Sequence, residues 1–277
     1  MAGLSAVDQA AANGFDNAAA YDAHRPSYPV QAFNGLLESV GLAGVSGSKV
    51  VDLAAGTGKL TEMLAARGEG FEVVAVEPVS NMRQTLAAKE LPRVTVRDGL
   101  ATGMGVEDGW ADAVIAAQSF HWFAHEEALA EIRRVLKPGG KLGIIWNIED
   151  YNQPPTWTSF TQWEKQLNDM ICNLEPDGPP RFRDEKWWHV FDRQSRDPAP
   201  MFSTPIGEAK VPFEGWLTKD GLWERVKTLS QVATLSEEGG EAFKKRFDEV
   251  LGNGDGKWNS GEVEFHGTTV YAWTARL

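Results

Sequence analysis

The chain is poor in three things, and each shortage excludes something. It has one cysteine, Cys172, in 277 residues. That excludes an intramolecular disulfide and any cysteine-built metal cluster, and it suits a reducing, cytoplasmic setting. No stretch approaches the ~20 consecutive apolar residues that a bilayer crossing needs. Basic residues are outnumbered, 27 Lys and Arg against 39 Asp and Glu, for a net charge of −12. With no Lys/Arg cluster to offset that charge, a phosphate backbone is a poor partner. The N-terminal stretch MAGLSAVDQAAANGFD lacks both the basic start and the apolar run of a signal peptide, and it has no Arg to suggest a mitochondrial address. No internal repeat is visible. Tryptophan, in contrast, is abundant: six of the eleven fall between Trp157 and Trp223.

Residues 49–146 alternate apolar runs with helical patterns. KVVDLAAG reads as a strand ending in Gly, TEMLAARG as a helix closed by Gly68, and FEVVAVEP as a second strand stopped by Pro78. SNMRQTLAAKE opens on Ser80, a residue competent to cap a helix. VTVRDG, ADAVIAAQ and KLGIIWN are further strands. HEEALAEIRRVLKPGG, before the last of them, carries apolar residues at helical spacing and a Pro-Gly-Gly stop. Strands alternating with helices predict a parallel sheet covered on both faces. Beyond Trp146 the spacing predicts helices over 156–172, 183–192, 219–235 and 238–251, then two strands around His266-Gly267. The expectation is an α/β fold: a doubly wound, mostly parallel seven-stranded sheet with an inserted helical cap and a C-terminal antiparallel hairpin. We expect one domain over 1–277. It divides into an N-terminal arm or lid (1–45), a cofactor-binding core (46–148), a Trp-rich substrate cap (149–215) and C-terminal helices and strands completing the sheet (216–277).

Ligands of such sheets bind outside the carboxyl ends of the strands. There lies VDLAAGTGKLT, Val51 to Thr61. A dinucleotide site wants a third glycine where Thr61 stands, and a P-loop wants Ser or Thr where Leu60 stands. Both phosphate readings fail. An adenosylmethionine turn needs a backbone free of side chains at Gly56 and Gly58, plus an acceptor for ribose hydroxyls. Glu77, ending the second strand, can accept from both hydroxyls.

The ordered segments VDLAAGTGKLT, VVAVEPVSNM, VTVRDG, ADAVIAAQSFHWF and LKPGGKL resemble the motifs of class I S-adenosylmethionine-dependent methyltransferases, which have a Rossmann-like fold. Tyr21, Arg25, Pro26, Tyr28 and Pro29, with Gln118 to Phe123, are similar to a small-molecule subgroup related to the trans-aconitate and fungal cantharidin-detoxifying enzymes. The resemblance implies that Asp52, Ala54, Ala55, Gly56 and Gly58 line the methionine part of S-adenosyl-L-methionine, and that Glu77 holds its ribose. Pro78 and Met82 then flank the adenine, and Asp98 and Gly99 meet its amino group. Gln118 and Ser119 close the pocket, and Tyr21 and Arg25 cover the cofactor from the arm.

His121, just past the fourth strand, is the candidate catalytic residue, as a base or as an orienting group. His121 and His125 are four apart, but two ligands are too few for a metal site. The substrate is expected among Tyr28, His121, Trp122, Phe123, Trp146 and cap tryptophans such as Trp157. The expected reaction is methyl transfer to O, S or N of a small molecule by a monomer or weak homodimer, with no nucleic-acid or membrane partner. A non-methylating reaction on the same fold, or a non-catalytic cofactor-binding subunit, stays open as an alternative.

Overall fold

The computed structural model describes residue 22 and residues 26–175 and 178–277. Tyr21 and Arg25 lie outside the described residues. Strands β1 (Lys49–Leu53), β2 (Glu72–Val76), β3 (Val94–Arg97), β4 (Ala111–Ala117) and β5 (Leu136–Glu149) run parallel. Strands β6 (Gly207–Thr218), β7 (Trp258–Asn259) and β8 (Glu262–Ala275) follow. The main path is seven strands in the order β3-β2-β1-β4-β5-β8-β6, and the two-residue β7 pairs with β8. β8 is antiparallel to both of its long neighbours.

Alternation along the central strands feeds two cores. Val50, Val73, Ala113 and Ile115 point to one face, against α1 (Val30–Ser39) and α2 (Lys59–Ala65). Val51, Leu53, Val74 and Val114 point to the other, against α4 (Glu126–Val135). Both faces are dry, which is why these strands read as continuous apolar runs. Helix α4 follows its sequence signals. Ala128, Leu129, Ile132 and Val135 form its buried stripe. Glu126 and Glu127 stand in its first turn and Arg133 and Arg134 in its last, as the helix dipole favours. His125 caps it, its Nδ1 accepting from the Ala128 N–H at 3.4 Å.

A third core lies beyond the strand ends. Helix α5 (Gln162–Cys172) packs through Trp163, Leu167 and Ile171 on Leu222 and Val226 of α7 (Lys219–Lys227) and on Phe243 and Phe247 of α9 (Glu237–Asn253). Short α6 (His189–Gln194) and α8 (Ser230–Ala233) complete the helices after β5. This cluster draws helices from both sides of β6, and the boundary expected at 215/216 falls inside that strand.

Several local expectations need correction. His266-Gly267 is not a turn, since β8 runs straight through it. Gly267 pairs with Glu149 on one side and Phe213 on the other. A Cβ there would sit 2.5 Å from the Phe213 ring and 2.7 Å from the Ile148 carbonyl oxygen, so that glycine serves close approach rather than reversal. The C-terminal hairpin turns instead at Ser260-Gly261, between β7 and β8. Ser80 is the first residue of α3 (Ser80–Ala87), after an uncapped Val79, and its hydroxyl accepts from the Gln84 side chain. The helix expected over 183–192 is a 3-10 turn, Phe182–Asp184, followed by α6, and that expected over 219–235 breaks into α7 and α8.

Candidate active site

The carboxyl ends of β1 and β4 are adjacent, Leu53 pairing with Ala116. Both strands leave the sheet through strained residues. Ala54 (φ 56°) and Gln118 (φ 59°) hold left-handed backbone that L side chains disfavour. Such outliers gather where a site demands a particular path of the chain. After Ala54 the turn continues through Gly56 and Gly58, also left-handed, and Gly58 stands at the start of α2.

Glu77 is the anchor of this turn. It is 3% exposed at the end of β2. Its Oε2 accepts from the Gly56 N–H and its Oε1 from the Val79 N–H, each at 2.8 Å. Burial pushes its carboxyl above the ordinary glutamate value, although the two N–H donors and the Arg83 charge pull the other way. A carboxylate offers about four acceptor positions, so two remain after these bonds. Arg83 Nη1 donates to the Glu77 and Pro78 carbonyls (2.8 and 2.9 Å) and lies 3.3 Å from Asp98 Oδ1. Asp98 itself is 72% exposed, at the rim. Met82 is buried in α3, its sulfur facing Gly56 across the turn.

Asp52 lies fully buried beneath the turn. Its Oδ2 accepts from the Thr61 hydroxyl at 2.6 Å, and its Oδ1 has no hydrogen-bond partner among the described residues. Burial pushes this carboxyl up to about 7 against the pull of Thr61, and the charge of Glu77 adds to the rise. Asp22 reaches the same turn. Asp22 accepts from the Thr57 hydroxyl at 2.7 Å and from Lys89 Nζ at 3.0 Å, with Lys59 at 3.5 Å. Burial opposes the Asp22 charge, but these partners outweigh it and hold the carboxyl below its usual value. Asp22 went unnoticed in the sequence because its partners are distant in the chain.

Next to the turn, at the ends of β4 and β5, is a cavity. Gln118, His121, Trp122, Trp146, Asn147 and Phe182 supply much of its wall, and Asn152, Arg181, Arg183 and Ser230 complete its polar lining. The Trp146 indole N–H donates to His121 Nδ1 at 3.2 Å. An indole can only donate, so Nδ1 is the acceptor and the neutral ring carries its proton on Nε2. Burial, with the charges of Arg181 and Arg183, pushes the imidazole down to about 3. The Gln118 amide donates to the Asn147 carbonyl at 3.0 Å, and Asn147 is fixed in turn by the Thr269 hydroxyl at 2.7 Å.

Of the expected substrate residues, His121, Trp122 and Trp146 line this cavity together. Tyr28 packs in the core beneath the opposite face of the sheet. Phe123 is buried edge-on against Phe120. Trp157 packs on Phe182 at 5.9 Å, and Trp187 sits behind Trp146 at 4.7 Å, so these cap tryptophans form a second layer. Ser119 is buried, with its hydroxyl 3.4 Å from the Leu53 carbonyl oxygen. Arg181 and Arg183 were missed. Their only signal was two arginines around Phe182 in a Pro- and Trp-rich segment. Among the described residues no group of three or more His, Cys, Asp or Glu could hold a metal ion.

The profile of a methyltransferase domain family matches residues 51–144. An uncharacterised methyltransferase-like protein of Schizosaccharomyces pombe is 33% identical over 230 residues, which is 83% of this chain and 82% of that one. An uncharacterised methyltransferase of Mycobacterium tuberculosis is 35% identical over 215 residues, 78% and 75% of the two chains. The chain belongs to the methyltransferase family. The methyltransferase shares its fold with a protein of Anaeromyxobacter dehalogenans assigned as a type II methyltransferase, with a TM-score of 0.60, 22% identity, and 91% and 97% of the two chains covered. It also shares it with Haemonchus contortus phosphoethanolamine N-methyltransferase 2, solved with S-adenosyl-L-methionine, at a TM-score of 0.51 and 17% identity, covering 96% of this chain and 59% of that one. The methyltransferase's own residues fit such a cofactor. At Gly56 only the Met82 sulfur comes within 4 Å of where a Cβ would stand, Glu77 keeps two acceptor positions, and Asp52 Oδ1 is an orphaned buried oxygen beneath the turn.

Proposed function

We propose that this methyltransferase transfers a methyl group to a small-molecule acceptor seated in the cavity at the ends of β4 and β5. The methyl donor is S-adenosylmethionine, whose sulfonium supplies an activated methyl and a neutral leaving group. The observation that carries the reading is the adjacency of two sites. The Gly-rich turn and Glu77 stand at the ends of β1 and β2, and the cavity lined by Gln118, His121 and Trp146 begins at the neighbouring strand β4. Ala54 to Gly58 and Asp52 take the methionine part, and Glu77 takes the ribose hydroxyls. Pro78, Met82, Asp98 and Gly99 border the adenine, with Gln118 and Ser119 between cofactor and acceptor. Tyr21 and Arg25 belong to this reading as an arm over the cofactor, consistent with the docking of neighbouring Asp22 on Thr57.

The chain's work is alignment and exclusion of water, because an in-line displacement on a sulfonium needs little more. His121 acts as an Nε2–H donor that orients the acceptor. The protein's place among the small-molecule methyltransferases resembling the trans-aconitate and cantharidin enzymes rests on Tyr21, Arg25, Pro26, Tyr28 and Pro29 together with the Gln118–Phe123 run. A cytoplasmic setting rests on the single cysteine, and the reading without a nucleic-acid partner on the acidic charge. No helix among the described residues is long and apolar enough to cross a membrane.

Transfer of a tritiated methyl group from S-adenosylmethionine to a panel of thiols, phenols, amines and organic acids tests the proposal. Labelled product from at least one class supports it. Tight cofactor binding with no product from any class contradicts it and favours the non-catalytic alternative. The same assay reads His121. With its imidazole held near 3, the ring stays neutral above about pH 5. The profile of kcat/KM from pH 5.5 to 8 is therefore expected to show no histidine step. A step near the ordinary histidine value of about 6.5 that disappears in His121→Asn would show that the ring titrates as a base.

A further inference from the structure

His121 enters the cavity on a fixed backbone. The 3-10 turn Phe120–Trp122 follows β4, with the Trp122 N–H on the Ser119 carbonyl at 2.9 Å. Phe120 anchors this turn, fully buried and stacked on Phe191 at 5.6 Å. The Gln118 backbone N–H donates to the Ile145 carbonyl at 2.8 Å, which ties the end of β4 to β5 one residue before Trp146. The sheet itself thus sets the Trp146 ring beside the His121 imidazole. Trp146 is fully buried, with the Phe182 ring at 4.9 Å and the Trp187 ring at 4.7 Å. A buried indole has one polar group, an N–H, and it normally takes an acceptor. Here that acceptor is His121 Nδ1, at 3.2 Å.

The two nitrogens of the imidazole therefore have different duties. Nδ1 is engaged by Trp146. Nε2 has no hydrogen-bond partner among the described residues and is not one of the sealed-in polar atoms, so it opens on the cavity that the ring lines. A neutral imidazole carries one proton. With the proton on Nε2 the ring presents a donor to the cavity. With the proton on Nδ1 it would present a lone pair, the form that can take a proton from a nucleophile. Only the first form lets Nδ1 accept from the indole, because the second sets one N–H against another. Trp146 is more than an apolar wall: it decides which tautomer faces the acceptor.

We propose that Trp146 is a positioning residue for methyl transfer: its indole N–H locks His121 in the Nε2–H tautomer, so that the ring meets the acceptor molecule as a hydrogen-bond donor and not as a base. The group that His121 engages on that molecule is therefore one with a free lone pair. This inference rests on reading the cavity as the acceptor pocket.

Nitrogen NMR of the full chain, labelled with 15N-histidine and loaded with S-adenosylhomocysteine, reads the tautomer directly. The chain has five histidines, and the His121→Asn variant identifies the pair of signals that belongs to His121. Wild type is expected to show Nδ1 unprotonated and Nε2 protonated. Two replacements remove the donor. Trp146→Phe is the simpler. The benzothiophene analogue of tryptophan, placed at position 146 by suppression of an amber codon, keeps the shape of the ring while sulfur replaces the N–H. In the analogue protein the tautomers are expected to exchange, giving both nitrogens intermediate shifts. With the best acceptor from the tritium panel of thiols, phenols, amines and organic acids, kcat/KM is expected to fall about 10-fold, while S-adenosylmethionine affinity stays within about 2-fold of wild type. A merely structural role for Trp146 would leave the tautomer unmoved in the isosteric analogue. A His121 protonated on Nδ1 in wild type, an Nε2–H tautomer that persists in both the analogue and Trp146→Phe, or a lost tautomer with unchanged kcat/KM overturns the proposal. If the tautomer responds as expected but wild type binds S-adenosylmethionine and methylates nothing, the reading of the cavity as an acceptor pocket fails, and the role in methyl transfer falls with it.

Discussion

Replacing Glu77 with alanine is expected to weaken S-adenosylmethionine binding by about 2 kcal/mol or more, roughly 30-fold in Kd. Two losses combine. The ribose hydroxyls lose a charged acceptor, and the Gly56 and Val79 N–H groups lose the carboxylate that fixes the turn. Glu77→Gln separates them. It keeps one oxygen for a backbone donor but presents an NH₂ where the second oxygen accepts, so its effect should fall between wild type and alanine. The pH dependence has a definite sign. Because burial raises the Glu77 carboxyl, the charge needed for binding is lost as pH falls through a value above the ordinary glutamate range. Cofactor affinity should therefore decline on mild acidification, and that decline should be absent in Glu77→Gln. Calorimetry at several pH values checks both statements. Unchanged affinity in Glu77→Ala would remove the ribose assignment.

The second large effect is on stability. Glu149, at the end of β5, and Arg225, on α7, form an ion pair with Oε1 2.9 Å from Nη2 and almost no exposure on either side. The pair meets off the hydrogen-bond line, so its attraction is chiefly coulombic. Arg225 also covers the Phe265 ring at 4.8 Å. Arg225→Met is expected to destabilise the chain by about 3–5 kcal/mol, because it strands a buried carboxylate. The double variant Glu149→Gln/Arg225→Met should recover much of that loss, since the desolvated charge is then gone as well. Urea unfolding measures both. A single-variant cost below about 1 kcal/mol would mean that the pair is effectively solvated. α7 leads directly into Thr228, Leu229 and Ser230 on the cavity wall, so the single variant should also raise the KM for an acceptor.

Glu77 and the Glu149–Arg225 pair mark what was and was not legible in the sequence. Glu77 stands at a strand end, a fixed interval beyond a Gly-rich turn, so local pattern sufficed to find it. The same holds for β1 to β5 and α4, where burial on both faces of a parallel sheet leaves continuous apolar runs between helical stripes. Glu149–Arg225 and Asp22–Thr57 join residues far apart in the chain, and no period announces them. Arg181 and Arg183 sit in a proline-interrupted segment where a buried arginine looks the same as a solvated one until the fold closes over it. Gly267 misled for a related reason. In isolation His-Gly resembles a reversal, and only the flanking strands show that the missing Cβ makes room for Phe213. Six tryptophans signalled a cap, but the rings that face the cavity, Trp122 and Trp146, come from the ends of β4 and β5.

A crystal structure of the protein with S-adenosylhomocysteine tests the central claim most directly. The account predicts the ribose hydroxyls on Glu77, the methionine part along Ala54 to Gly58, and the sulfur opening toward the cavity of Gln118, His121 and Trp146. A cofactor bound away from Glu77, or a sulfur walled off from that cavity, would contradict it.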